Sequence, residues 1–200
     1  GSNYPKTFLE IIIRLSLNLQ PTLENSKIIL FPLKEENYEE LYEVASDPEI
    51  WIQHPNPLRY QKSVFQNFFE HAILSKGALL IRQKVSNKVI GCSRYYDHNP
   101  SNKSILIGYT FFGKKYWGNT YNYSAKFLML NHIFQFVDTV YFHIGQYNLR
   151  SQISIQRLGA KCARSLEISY AGEKPMQNFE YVIDKESWPD IKRNLFQFIE

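Results

Sequence analysis

The chain has 200 residues, of which 44% are hydrophobic and 16% aromatic, enough for one well-formed core and too few for a second large domain. Its formal charge of +4 comes from 23 Lys and Arg against 19 Asp and Glu, and the excess is spread along the chain rather than gathered in blocks. Because no recognition motif accompanies this charge, we do not expect a dedicated nucleic-acid-binding protein.

The cysteines and the N-terminal residues bear on compartment and processing. Cys92 and Cys162 have no metal or redox spacing, so we expect two reduced, mostly buried thiols in a cytoplasmic protein, and no bound metal. Residues 1–2 are typical of a tag-cleavage scar, and residues 8–19 are too short and too polar to span a membrane. We expect residues 1–17 to comprise this scar and an extra helical segment, in which residues 5–17 are our candidate for a homodimer contact, and residues 18–200 to form one domain.

Hydrophobic periodicity and turn residues predict a mixture of strands and helices in chain order. A first strand at residues 26–33, with Pro32 indicating an edge position, is followed by helices at 35–45 and 61–75, the second ended by Gly77. The remaining predicted strands are 78–84, 88–96, 104–112, 139–144, 161–170 and 179–183, and the remaining helices are 123–137, 149–158 and 187–199. This order predicts an α+β fold.

A basic, glycine-bearing turn lies between the predicted strand at 104–112 and the helix after it. It reads Lys115, Tyr116, Trp117, Gly118, Asn119, Thr120, Tyr121 and Asn122. A strand that feeds a helix through a glycine leaves the first helical N–H groups unpaired, with the positive end of the helix dipole behind them. The turn therefore predicts a site for an anion, and we call it the phosphate turn.

Several short motifs stand in order around the phosphate turn. They are residues 19–23 (LQPTL), 45–51 (ASDPEIW), 90–95 (IGCSRY), 107–111 (IGYTF), 148–151 (NLRS), 158–160 (LGA) and 186–189 (ESWP). Together they resemble the GNAT superfamily of N-acetyltransferases, in the branch that includes the ribosomal-protein N-terminal (alanine/serine) acetyltransferases. The resemblance covers about residues 18–200.

The resemblance implies a central, mostly antiparallel, splayed sheet of about seven strands flanked by helices. Its parallel fourth and fifth predicted strands, 104–112 and 139–144, would frame a cleft for acetyl-CoA. The phosphate turn would then hold the pyrophosphate, with two departures from the superfamily's loop: Lys115 in place of Arg or Gln, and Thr120 in place of Gly or Ala. Backbone N–H groups supply most of such binding, so we read the turn as a variant that still binds.

The resemblance also assigns roles in acetyl transfer. Backbone N–H groups around Tyr109, Thr110 and Phe111 would bind the thioester and polarise its carbonyl. The tyrosine that protonates the thiolate in many relatives is replaced by Ile155, and Ser151 stands where the ribosomal branch places a serine. Asn148 would orient the pantetheine arm or Ser151, and the neighbouring Arg150 either reaches a CoA phosphate or faces solvent.

The general base and the acceptor are less defined. Leu106 stands where relatives often carry a carboxylate, which leaves His143, His132, His98 and Glu49 as candidates. Elements that line the acceptor cleft in relatives supply Trp51, Arg94 and Tyr95 as substrate-binding candidates, with His54, Arg59, Tyr60, Phe69 and Tyr96 beside them.

The resemblance implies an acetyl-CoA-dependent N-acetyltransferase. Its acceptor would be a small amine or a peptide or protein N-terminus. Two alternatives remain open: a CoA-binding sensor without turnover, and a basic RNA-associated protein.

Overall fold

Eight strands and five α-helices are present in the computed structural model, which describes residues 16–170 and 172–199. The strands are β1 (Leu23–Glu24), β2 (Ile28–Pro32), β3 (Ala78–Gln83), β4 (Val89–Asn99), β5 (Ser104–Phe112), β6 (Thr139–Gly145), β7 (Lys161–Ile168) and β8 (Met176–Asp184). The helices are α1 (Tyr38–Ala45), α2 (Lys62–Ser75), α3 (Asn119–Ile133), α4 (Leu149–Leu158) and α5 (Trp188–Ile199). Short 3-10 helices lie at Glu35–Asn37, Pro48–Trp51, Lys114–Tyr116 and Lys185–Ser187.

The strands form one sheet in the order β1-β2-β3-β4-β5-β6-β8-β7. Neighbouring strands are antiparallel except β5 and β6, which pair in parallel from Ser104↔Thr139 to Leu106↔Tyr141 and then separate. The α+β class and the splayed, mostly antiparallel sheet are therefore confirmed. The eighth strand is β1, whose two residues are too few to show any alternation in the sequence.

Both faces of the sheet are covered, which explains why residues 78–81 of β3 and 89–95 of β4 are continuously buried instead of alternating between buried and exposed. On one face α3 and α5 pack through residues such as Met129, Ile133 and Leu195. On the other face α1 and α2 enclose an aromatic cluster that includes Phe65 and Phe68. The gap between β5 and β6 is thus an opening through a sheet whose two faces are otherwise covered by helices.

Helix α3 (Asn119–Ile133) differs from the predicted 123–137 at both ends, and α2 ends at the predicted residue 75 for a different reason from the predicted one. Helix α3 begins at Asn119, within the phosphate turn, rather than at residue 123. The sequence did not show this because the first turn of the helix carries polar residues without apolar spacing. Helix α2 ends on Lys76 in the left-handed conformation (φ 52°), so the prediction that Gly77 ends it is wrong. Gly77 is needed for a different reason, since a Cβ there would lie 2.0 Å from the carbonyl oxygen of Tyr95.

The remaining expectations concern the termini, the thiols and the membrane. The predicted N-terminal helix lies, up to residue 15, outside the described residues, while Leu17 and Leu19 pack against the α3 face. Cys92 is buried as expected, whereas Cys162 is exposed on β7. Within residues 16–170 and 172–199, no helix has the length and apolar character needed to cross a membrane.

Candidate active site

The separation of β5 from β6 opens a cavity of about 470 Å³ that reaches both faces of the sheet. On the α3 face it is lined by α4 and by the phosphate turn, including Gly118 and Ser151. On the opposite face, which we call the acceptor face, it is lined by residues such as Arg59 and Tyr170. One cavity therefore joins the two places where a donor and an acceptor would bind.

A bulge in β5 borders this opening. Cys92 pairs with Phe111 and Arg94 with Gly108, so Tyr109 and Thr110 both stand opposite Ser93. Tyr109 accommodates the extra residue with a φ of 53°, a conformation that a bulky side chain rarely adopts. Strain of this kind persists where the surrounding packing enforces it, and it is common at functional sites.

The phosphate turn has the backbone of an anion site. Gly118 starts α3 with a φ of 113°, and no described side chain caps that end of the helix. A Cβ at Gly118 would meet no atom within 4 Å, so open space lies in front of the helix. The unpaired N–H groups of the first turn and the helix dipole favour a phosphate in that space.

Some side chains of the phosphate turn line the cavity, and others point elsewhere. Tyr116, Trp117, Gly118 and Asn122 line the cavity. Tyr121 points to the sheet instead, where its hydroxyl accepts a hydrogen bond from Gln83 at 2.6 Å. Lys115 is exposed, Thr120 is half-buried, and the side chain of Asn119 lies outside the described part of the chain.

Helix α4 brings its first turn to the same cavity. Asn148 caps the helix, since its Oδ1 accepts from the Ser151 N–H at 3.3 Å. Ser151 and the buried Ile155 both line the cavity. The guanidinium of Arg150 stacks on the Trp117 ring, 3.4 Å from its centroid, and so links α4 to the phosphate turn.

Lys126 is a cavity residue that the sequence reasoning missed. Its side chain is 7% exposed, and its Nζ donates to Thr110 Oγ1 at 3.2 Å. No carboxylate of the described residues lies within 4 Å of it, and burial lowers its pKa to about 8. The available signal was its position three residues after Tyr123 and four before Leu130, on the stripe that a helix buries.

The acceptor face carries two buried arginines. Arg59 is 3% exposed and forms two hydrogen bonds of 3.0 Å to the carboxylate of Glu173. Arg94 is 5% exposed, and its guanidinium lies 3.8 Å from the Tyr109 ring centroid and 5.5 Å from that of Phe68. Its Nε is buried without a hydrogen-bond partner among the described residues. Among the described residues, a carboxylate balances the charge of Arg59 and none balances that of Arg94.

The other two substrate-binding candidates lie outside the cavity, and each is a correction to the sequence prediction. Trp51 is fully buried in the aromatic cluster, where its Nε1 donates to the Ala45 carbonyl at 2.8 Å. Tyr95 is fully buried on the α3 face, and its hydroxyl donates to the Met129 carbonyl at 2.5 Å. Successive side chains of a strand point to opposite faces, so Tyr95 cannot share the acceptor face with Arg94.

Two histidines line the cavity, and their surroundings differ. Burial, together with the charges of Arg59 and Arg150, lowers the pKa of His54 to about 3. His143 instead contacts the carboxylate of Glu180 through Nε2 at 2.8 Å, and Arg164 donates to the same carboxylate at 3.0 Å. Burial acts to raise the pKa of Glu180, but the hydrogen bonds from Arg164 and His143 outweigh it and lower that pKa. An ionised carboxylate therefore holds His143 in place at neutral pH.

The remaining base candidates do not reach the cavity. His132 is on the outer side of α3, with its Nε2 2.7 Å from the Asn18 carbonyl. His98 is exposed at the end of β4, and Glu49 forms an exposed ion pair with Lys114. Leu106, at the position of a carboxylate in relatives, is buried at the last β5–β6 pair.

Comparisons with known proteins agree with this geometry. No curated protein sequence matches the chain significantly. Among solved structures, a GCN5-related N-acetyltransferase from Brucella melitensis aligns with a TM-score of 0.77 at 18% identity, covering 90% of this chain and 86% of that one.

Two structures from Vibrio cholerae share the fold at lower identity. A spermidine N-acetyltransferase in complex with CoA and spermine aligns with a TM-score of 0.63 at 12% identity, covering 82% of this chain and 99% of that one. A putative ribosomal-protein-serine acetyltransferase aligns with a TM-score of 0.65 at 13% identity, covering 84% and 99%.

A family model decides the assignment. The model of the acetyltransferase (GNAT) domain matches residues 27–161, which is more than half of the chain and includes the phosphate turn, the β5 bulge and all of α4. The sequence-based family prediction is thereby confirmed, and acetyl-CoA is the donor that this family uses. The chain belongs to the GNAT family of acetyl-CoA-dependent N-acetyltransferases.

Proposed function

We propose that this chain transfers the acetyl group of acetyl-CoA directly to a primary amine, carried by a small molecule or by a protein N-terminus. The observation that carries this proposal is the single cavity through the β5–β6 split, with an anion site on one face and buried polar side chains on the other. Direct transfer needs the acceptor amine to reach the carbonyl carbon of the bound thioester, and a cavity open to both faces of the sheet allows this.

The residues present fit acetyl-CoA. Its pyrophosphate would lie against the Gly118 end of α3, and the stacked Arg150 together with Arg157 supplies positive charge beside it. Its pantetheine arm would pair with the edge of β5, which is free of β6 beyond Leu106. When bound, acetyl-CoA supplies an activated thioester; the other requirements fall on the protein's own groups.

Polarisation of the thioester carbonyl would come from the β5 bulge. Past Leu106 the backbone groups of β5 that face β6 have no strand partner, and the region from Tyr109 to Phe111 borders the cavity. A fixed backbone N–H stabilises the charge that develops on a carbonyl oxygen during attack, because it needs no reorientation.

Ser151 would supply the proton for the departing thiolate. It lines the cavity in the first turn of α4, where the positive end of the helix dipole also stabilises negative charge. Asn148 would act as a positioning residue, since it fixes the start of α4 through its hydrogen bond to the Ser151 N–H.

His143 would serve as the general base. A base works best with a pKa near the operating pH, which argues against His54 with its pKa of about 3. His143 lines the same cavity, and Glu180 orients it as a carboxylate orients the histidine of a catalytic triad. This assignment removes the need for the carboxylate that Leu106 replaces.

Release of free CoA tests the proposal. Purified protein with acetyl-CoA and a panel of peptides, diamines and amino acids should produce CoA only when an acceptor is present. The alternative of a non-catalytic sensor, which Leu106 and Ile155 motivate, predicts that the protein binds CoA in calorimetry and releases none with any acceptor.

The base assignment has its own test. His143→Gln should lower kcat by about 100-fold, because general base catalysis typically contributes that much, while affinity for CoA stays unchanged. His132→Gln is the matched control, since that histidine lies outside the cavity. Equal kcat for the His143→Gln variant and the unmodified protein would remove His143 from the reaction.

A further inference from the structure

We propose that the acceptor carries a compact oxyanion, a carboxylate or a phosphate, a few bonds away from its reactive amine, and that Arg94 binds this oxyanion. The inference rests on the proposed function, because it names the acceptor class for the same site.

Arg94 lies on the acceptor face, and the part of the chain that the structure describes supplies no counter-charge for it. It is 5% exposed, and among those residues its Nε has no hydrogen-bond partner and no carboxylate lies within 4 Å of the guanidinium. The rings of Tyr109 and Phe68 hold it from the sides through cation–π contacts. Such contacts attract the charge but provide no hydrogen-bond acceptor for the buried Nε–H.

The surrounding charges do not satisfy Arg94. A smaller cavity of about 170 Å³ adjoins the main one, sharing Arg59, Tyr96, Tyr109 and Tyr170 with it, and Arg94 lines this smaller cavity. Its titratable wall residues are Arg59, His71, Arg94, Tyr96, Asp97, Tyr109, Tyr170 and Glu173. Glu173 is already engaged by Arg59 through two hydrogen bonds, and Asp97 is exposed at the rim.

The main cavity adds to the positive character. No carboxylate is found among its described lining residues, which include Arg59 and Lys126 on either side of the opening. A diamine or polyamine bound here would place a second ammonium group near these cations. Burying like charges together is strongly unfavourable, so such acceptors should be poor.

An oxyanion would complete the site. A guanidinium offers two parallel N–H donors that match a carboxylate or phosphate, and charge-assisted hydrogen bonds of this kind are the strongest available to a side chain. The smaller cavity has room for a group of that size. Binding would therefore give the guanidinium the acceptor that the described residues do not provide.

The sheet register sets the distance between oxyanion and amine. Arg94 pairs with Gly108, directly beside the bulge at Tyr109 where the thioester carbonyl would be polarised. Neighbouring strands lie about 5 Å apart, so the two functions are separated by about one side-chain length. We therefore expect two to about six bonds between the amine and the oxyanion of the acceptor.

Matched acceptors test the inference through CoA release. The small set is 2-aminoethyl phosphate, β-alanine, ethanolamine and putrescine. The peptide set has serine first, an amidated C-terminus, and aspartate, alanine or lysine second. We expect kcat/KM to be at least about tenfold higher for the anionic member of a set than for its neutral counterpart, and lowest for the cationic one. Comparison of β-alanine with 2-aminoethyl phosphate separates carboxylate from phosphate.

Variants and a binding measurement tie the preference to Arg94. Arg94→Met should abolish the preference while affinity for CoA is retained, and Arg94→Lys should keep part of it. Arg82→Met, on the neighbouring strand β3 and paired with Glu40 outside the cavity, is the matched control. In calorimetry without acetyl-CoA, N-acetyl-β-alanine should bind more tightly than N-acetylethanolamine, and Arg94→Met should remove the difference.

The outcomes separate this inference from the proposed function. CoA release that is equal for anionic and neutral acceptors, or fastest with putrescine or the lysine peptide, overturns the oxyanion assignment and leaves acetyl transfer standing. A preference that persists in Arg94→Met overturns the role of Arg94. If CoA binds but no acceptor in either set releases it, the proposed function fails and the acceptor assignment falls with it.

Discussion

Replacing Lys126 by methionine should stabilise the protein at neutral pH. Burial lowers the pKa of Lys126 from its ordinary value of 10.5 to about 8, so the folded protein at pH 7 keeps a charge in an environment that disfavours it. The unfolded chain carries the same charge in water at no such cost. Lys126 therefore opposes folding at neutral pH, unlike a charge that gains an acidic partner.

The magnitude follows from the pKa difference. Lowering a pKa from 10.5 to about 8 corresponds to about 3 kcal/mol at about 1.36 kcal/mol per pH unit. Methionine has a similar shape but forfeits the hydrogen bond to Thr110, worth about 1 kcal/mol. The Lys126→Met variant should thus be more stable by about 2 kcal/mol at pH 7, with a Tm about 4–8 °C higher.

The pH dependence distinguishes this cause from better packing. The penalty is fully present below the folded pKa of about 8 and disappears as the pH approaches 10.5, where the unfolded chain also loses its proton. The stability difference between the variant and the unmodified protein should therefore shrink above pH 8 and reach about zero near pH 10.

Urea unfolding followed by tryptophan fluorescence at pH 7, 9 and 10 measures this difference. The control is Lys62→Met, at an exposed position where the same change should alter stability by less than about 0.5 kcal/mol at each pH. A Lys126→Met variant that is no more stable at pH 7, or whose advantage does not change with pH, would refute the reasoning.

Three further predictions concern the backbone and one buried hydroxyl. Gly118→Asp should abolish CoA binding in calorimetry, because a left-handed aspartate puts strain and negative charge at the anion site, and unchanged affinity would remove the phosphate from this turn. Gly77→Ala should cost about 3 kcal/mol or more in urea unfolding, since its Cβ would overlap the Tyr95 carbonyl; a loss below about 1 kcal/mol would contradict that close approach. Tyr95→Phe should lower stability by about 1–2 kcal/mol with acceptor KM unchanged, and a raised KM would return Tyr95 to the cleft.

Local signals predicted much of the fold. The strand at residues 104–112 and the helix at 149–158 have the bounds that the sequence indicated. A long apolar run marks the strand, and an N-cap residue and a terminal glycine mark the helix, so both signals lie in adjacent residues. The family was recognisable for the same reason, since its motifs are short and contiguous. Strand β1 was not predicted, because a strand of two residues leaves no recognisable pattern in the sequence.

For the candidate site, prediction succeeded for residues that lie in one short segment and failed for residues whose position depends on the packing of the sheet. Ser151, Asn148 and the phosphate turn belong to segments where one stretch of chain builds the feature, and the structure places most of them along one cavity. Arg94 and Tyr95 are neighbours in the sequence, and alternation along a strand dictates that they face opposite sides of the sheet. Both sides are buried, so burial alone could not say which residue faces the acceptor.

The sequence by itself determined the class of fold and the family, and it predicted the anion site, because these depend on residues close together in the chain. Only the tertiary structure decided which charges around the cavities are paired with an opposite charge. Glu173 neutralises Arg59 from 114 residues away, whereas Arg94 at the smaller cavity and Lys126 at the main cavity have no carboxylate of the described residues within 4 Å. Charge balance depends on distances in space, and the spacing of residues along a chain does not report those distances.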